Sequence, residues 1–147
     1  MRFDVRRMLK NRDGVTAIEF AIISPVLLTM LLGMFQFGTV MNNYMILTNA
    51  AAKGALTIAL SRGTTTPYTT TKSAITAAAP NLTSTNITTT VTINGTACAS
   101  DAACTTALVA GVSAVVKSTY PCNLTVMGIN YAPSGCTLKA QTAQMVQ

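Results

Sequence analysis

The sequence has no His and no Trp, and only four Asp or Glu stand against ten Lys or Arg. The missing His removes the side chain most used for acid–base catalysis and for metal ligation. So few carboxylates leave little for paired-acid chemistry. Charged residues make up 10% of the chain, where ordinary soluble domains carry about 25%. Half of the chain is hydrophobic and mean hydropathy is +0.44. That balance argues against a freely soluble cytoplasmic protein. It argues equally against disorder, which needs low hydrophobicity and high net charge. The expectation is a non-enzyme with no cofactor and no metal. The 147 residues allow one domain, or a small domain with an appendage.

The net charge of +6 is concentrated at one end. Arg2, Arg6, Arg7, Lys10 and Arg12 lie in the first fourteen residues beside Asp4 and Asp13, giving +3 there and +3 over the remainder. Binding nucleic acid calls for a basic stripe with aromatics to stack bases, and neither is visible. The leader, residues 1–14, reads instead as a cytoplasmic flank that fixes membrane orientation. Phe20 to Val40 follows, twenty-one residues without a charge. About 20 apolar residues in a helix cross the hydrocarbon core, whereas a cleavable secretory signal has an apolar region of only about 7–15. The expected topology is a single pass through the cytoplasmic membrane, N-terminus inside and C-terminal domain outside.

Glu19 stands at the edge of this run. A carboxylate near hydrocarbon is costly and points to a functional partner. Around it the text is Arg12-Asp13-Gly14-Val15-Thr16-Ala17-Ile18-Glu19-Phe20: a basic leader ending in Gly, then Glu as the fifth residue after it, then an aromatic. This resembles the class III signal of type IV pilins and pseudopilins, which a membrane aspartyl peptidase cuts after the Gly. Within that group the segment is similar to the TadE-like family, minor pseudopilins of tight-adherence (Flp-type) pilus systems. The likeness runs on through Ile22-Ile23-Ser24-Pro25-Val26-Leu27-Leu28, Gly33 and Phe35-Gln36-Phe37-Gly38, and returns more weakly at Thr125 to Tyr131 and Leu138 to Val146.

The resemblance implies a pilin-like fold and cleavage between Gly14 and Val15. It also implies a subunit-pairing role for Glu19 with the freed amine of Val15 beside Phe20. The implied partners are a prepilin peptidase, other pilin-like subunits, the assembly machinery and the membrane. The filament it implies serves cell adhesion, with the protein in the membrane or in an extracellular pilus. The alternative is a membrane-anchored extracytoplasmic binding module that enters no filament.

Beyond the span, Met41, Tyr44, Met45, Thr48, Ala51, Ala52, Ala55 and Ala59 recur at helical spacing, and Arg62-Gly63 reads as a stop. One helix over 15–62 is expected, with Pro25 tolerated inside it and Ala50 and Gly54 as a small-residue packing pair. The extracytoplasmic domain is then 63–147. Its first part is Thr-rich, with fourteen Thr from Thr64 to Thr96. Lys72 to Ala79 reads as a short helix ended by Pro80. Ile87 to Ile93 alternates as a strand, turned by Asn94-Gly95. Ala107 to Lys117 fits helix or strand, and helix is preferred. Asn123 to Tyr131 and Thr137 to Val146 read as two strands of one hairpin, turned at Ala132 to Gly135. The fold class is α+β: a long N-terminal transmembrane helix leading into a small antiparallel sheet.

Cys98, Cys104, Cys122 and Cys136 all fall outside the membrane. They lack the CxxC pairs of zinc sites, so disulfides are expected. Of three possible pairings, Cys98–Cys104 with Cys122–Cys136 is preferred. Asn81, Asn86, Asn94 and Asn123 each open an N-x-Thr sequon, a frequency that the Thr content itself can explain.

Overall fold

In a computed structural model of the chain, residues 12–126 and 128–147 are described; the leader residues before Arg12 lie outside them. The chain divides into two compact units, up to Gly38 and from Thr39 to Gln147. Helix α1 (Arg12–Ala59) runs without interruption through Pro25. In its first unit the apolar side chains face outward all round, Phe20 being 73% exposed. Mean hydropathy reaches 2.1 there. A helix that is apolar on every side and unburied by protein has lipid as its natural solvent.

The second unit begins within α1 and builds a core on one stripe of it. Leu47, Ala50, Ala51, Ala55 and Ile58 are buried at helical spacing. The helix closes close to the expected stop: α1 ends at Ala59, Ser61 N–H donates to Ile58 O at 3.1 Å, and Gly63 takes φ +80°. Helix α2 (Pro67–Ala78) starts earlier than expected, with Pro67 in its first turn, where a missing N–H costs nothing. A 3-10 turn (Ser84–Asn86) leads to β1 (Thr88–Ile93), then β2 (Thr96–Cys98) and α3 (Asp101–Ala107). Next come β3 (Ser113–Pro121), β4 (Thr125–Val126), β5 (Ile129–Asn130) and β6 (Thr137–Met145).

The main sheet has the order β2-β1-β3-β6 and is antiparallel throughout. Val91 faces Val116, which faces Thr142; Ile93 faces Ala114. Val91, Ile93, Ala114, Val116 and Ala140 are buried in the same core as the α1 stripe and Ile75 of α2. The opposite face carries Thr90, Lys117 and Gln141 in one cross-strand row. Thus the alternation read over Ile87–Ile93 is one buried and one solvated face, and Asn94 and Gly95 make its turn with φ +48° and +79°.

Two expectations are corrected. Ala107 to Lys117 is not a helix: α3 ends at Ala107 and β3 begins at Ser113. As an inner strand, β3 buries Ala114, Val116 and Ser118 and half-buries Val115. Its apolar run is therefore nearly continuous, a pattern that does not distinguish strand from buried helix. The expected hairpin between 123–131 and 137–146 is also absent. Residues 125–126 pair instead with 129–130 as β4–β5, and β6 pairs with β3 over nine register positions. The fold class stands: α+β, with a long apolar N-terminal helix and a small antiparallel sheet.

Candidate functional site

The residues singled out near the N-terminus all lie on the first turns of α1, where Gly14, Val15, Glu19 and Phe20 are helical. Val15 and Glu19 are four residues apart, so they lie one above the other on one side of the helix. Phe20 is offset from Glu19 by about 100° at 3.6 residues per turn. Val15, Glu19 and Phe20 are exposed. Val15 and Glu19 therefore share one side of the helix, and Phe20 lies on the adjoining side.

The cysteines occur as two bonded pairs, Cys98–Cys104 and Cys122–Cys136, with Cα–Cα distances of 5.2 and 5.5 Å. These are the preferred pairs. No described cysteine is free. The first clips β2 to α3, whose Ser100 caps it by accepting from Ala103 N–H at 3.3 Å. The second joins the end of β3 to the start of β6, and Cys122 N–H also donates to Cys136 O at 3.2 Å. Between its two cysteines stands the β4–β5 hairpin. Tyr131 N–H donates to Leu124 O at 2.8 Å, and Asn130 Oδ1 accepts from Leu124 N–H and Ala132 N–H.

One arrangement escaped the sequence reading, as did the partners of a second. Asp101, the only acid after Glu19, accepts from Thr69 Oγ1 at 2.6 Å and from Thr69 N–H at 2.9 Å. It caps the first turn of α2 from another helix, because Thr66 at the N-cap position makes no side-chain cap of its own. These bonds, the Thr69 hydroxyl foremost, hold its carboxyl below the ordinary carboxylate range. No signal in one sequence links residues 69 and 101. The second is Gly54. A Cβ there would lie 2.5 Å from Ile75 Cγ1 and 3.4 Å from Val116 Cγ1. The Ala50–Gly54 pair foreseen as a packing feature thus faces the domain's own core, where α2 and β3 approach α1.

A cleft of about 480 Å³ lies between the β1–β2 turn and α3, lined by Asn94, Thr96, Cys98, Thr106, Val109 and Val112 among others. Among the described residues no ionisable side chain lines it, since Cys98 is bonded. Among the same residues no group of three or more His, Cys, Asp or Glu could hold a metal ion.

Comparison with known proteins places one segment. The family model described as TadE-like protein matches residues 14–56, which include Gly14, Val15, Glu19 and Phe20 and end inside α1. The N-terminal resemblance holds over those residues. No curated protein and no solved structure matches the chain.

Proposed function

We propose, on the strength of the TadE-like match over residues 14–56, that this chain is a minor pseudopilin, a structural or assembly component of a tight-adherence pilus. A prepilin peptidase cuts it after Gly14 while α1 sits in the cytoplasmic membrane, with the leader inside and the disulfide-bonded domain outside. The cut leaves an amine on Val15. Glu19, one helical turn away, meets that amine on its own or a neighbouring subunit. In hydrocarbon such a pair fixes register more than it adds net stability. In this reading the chain acts by assembly rather than by catalysis, a role that the absence of His and the scarcity of carboxylates support.

The observation that carries this reading is the Gly14-to-Glu19 spacing on a lipid-suited helix within the matched segment. Co-expression with a cognate prepilin peptidase should shorten the protein by Met1 to Gly14, seen by N-terminal sequencing and intact mass. Gly14→Leu should block the cut. Glu19→Gln should leave membrane insertion unchanged but weaken assembly by roughly 3–5 kcal/mol, the range for breaking a buried pair, read as loss from sheared pilus fractions. An intact N-terminus under active peptidase would favour the membrane-anchored binding module instead.

A further inference from the structure

The two edges of the main sheet are finished differently. The β2 edge is short, Thr96–Cys98, and the Cys98–Cys104 bond holds α3 beside it. The β6 edge runs for nine residues, Thr137–Met145. Its register with β3 is unbroken from Ser113↔Met145 to Pro121↔Thr137, so no bulge interrupts it. It holds no Pro, and Lys139 is its only charge. Edge strands are ordinarily kept from pairing by shortness, bulges, Pro, charge or a cover. Of these devices β6 has a single Lys.

Hydrogen bonds at both ends of β6 show which of its backbone groups face outward. Cys136 O accepts from Cys122 N–H at 3.2 Å, and Val146 N–H donates to Val112 O at 2.9 Å. Along an antiparallel strand, residues alternate between facing one neighbour and facing away from it. The even-numbered residues of β6 therefore turn their N–H and C=O groups to β3. Those of Thr137, Lys139, Gln141, Ala143 and Met145 turn to the open side. Asn94 N–H donates to Ser113 O at 2.9 Å, the complementary alternation on the β1 side of β3. No backbone bond from another described element reaches the outward groups of β6, and all five of these residues are exposed.

We propose that β6 pairs with β6 of a second copy of the chain, antiparallel about a two-fold axis at Gln141, joining two four-stranded sheets into one. Gln141 is the midpoint of Thr137–Met145, so this register uses the whole strand. It sets Thr137 opposite Met145 and Lys139 opposite Ala143, and the outward N–H and C=O groups of each pair exchange hydrogen bonds. An axis at Lys139 would put like charges directly opposite, which destabilises a cross-strand pair. An axis at Ala143 would use only residues 141–145 of the strand. With the axis at Gln141 the two Lys139 positions stand about 14 Å apart at about 3.4 Å per residue, beyond the Debye length of about 8 Å. The single charge thus selects the register and leaves the edge open. On the solvated face, the row Thr90, Lys117, Gln141 continues into Gln141 of the second copy, and a Gln amide both donates and accepts. The same patch serves both copies, as a closed two-fold interface requires. The inference is independent of the pilus reading.

The test uses the full chain in detergent. Gln141→Pro removes an outward N–H that β3 does not use, a change that edge strands tolerate. It should raise the dissociation constant of the dimer at least about tenfold, read by sedimentation, because the axis removes two central hydrogen bonds at once. Gln141→Cys should give a reducible covalent dimer under mild oxidation. The Cα atoms of a hydrogen-bonded antiparallel pair lie about 5.5 Å apart, within disulfide range. Lys139→Cys and Ala143→Cys should not cross-link alone, each being about 14 Å from its own equivalent, but should cross-link when the two variants are mixed. All three variants have the same opportunity to mispair with the native cysteines, so a difference among them reports geometry. A wild-type monomer at every concentration overturns the proposal. So does a dimer that Gln141→Pro leaves unchanged, or equal cross-linking of the three single variants. Should Gln141→Pro fail to fold, the cross-linking pattern decides by itself, and processing at Gly14 reports separately on the pilus reading.

Discussion

At the residue scale, Asp101 shows what one carboxylate can do in a domain almost without acids. It receives two hydrogen bonds from Thr69 and so ties the start of α3 to the start of α2. Because those bonds favour the ionised form, its folded pKa lies below its unfolded value. A depressed carboxylate contributes stability above its unfolded pKa, near 3.9, and loses that contribution as pH falls through the folded value. Thermal midpoints should therefore be flat from neutral pH down to about pH 5 and fall in the acid range below about pH 4. Asp101→Asn should start lower at neutral pH, and the gap between the two proteins should close as pH falls. A constant gap across the whole range would remove Asp101 from this role. Its tie to Thr69 could not be read in advance, since the two residues are brought together only by the packing of α2 against α3.

At the element scale, the close approach of α1, α2 and β3 depends on Gly54. Glycine in a helix ordinarily costs about 0.5–1 kcal/mol relative to Ala, so its presence here answers a spatial demand. Ile75 is fully buried. Gly54→Val should destabilise by about 1–3 kcal/mol through overpacking, measured by urea denaturation of the detergent-solubilised chain. Ile75→Ala in the same chain should recover part of that loss, a coupling between contacting sites. Additive losses would place the strain elsewhere. The elements themselves were unequally legible. Phe20–Val40 and Ile87–Ile93 declare themselves because each has one environment per face, lipid all round or core against water. The β3 strand does not, because Val115 is half-buried on the face that should be polar. The pairing of β6 is hidden for another reason: β3 and β6 meet across the whole β4–β5 excursion, and local alternation says nothing about which strand will be the neighbour. At the candidate site the Gly14–Glu19 spacing was legible as text, and the helix adds that Val15 and Glu19 share a side.

At the scale of the whole molecule, the proposed placement of the disulfide-bonded domain outside the membrane makes a prediction about its thiols. Exported protein should show no alkylatable thiol under denaturing, non-reducing conditions. Protein held in the cytoplasm by Leu27→Lys with Leu28→Lys should show four. Removing the larger loop closure with Cys122→Ser and Cys136→Ser should cost about 2–3 kcal/mol, near the chain-entropy figure for a loop of about 15 residues, and should expose residues 123–135 to limited proteolysis. Four reactive thiols in the exported protein would refute the oxidised domain. The bond from Gln147 N–H to Ala59 O joins parts of the chain far apart in sequence. The end of α1 finds a hydrogen-bond partner that lies beyond the whole sheet in the chain. The inner strand β3 likewise waits for β6. Such high contact order slows folding, and before β6 docks one edge of β3, the Val116 edge, is unpaired. Until β6 docks, that edge is an open template for any other strand, and the β3–β6 pairing is what closes it.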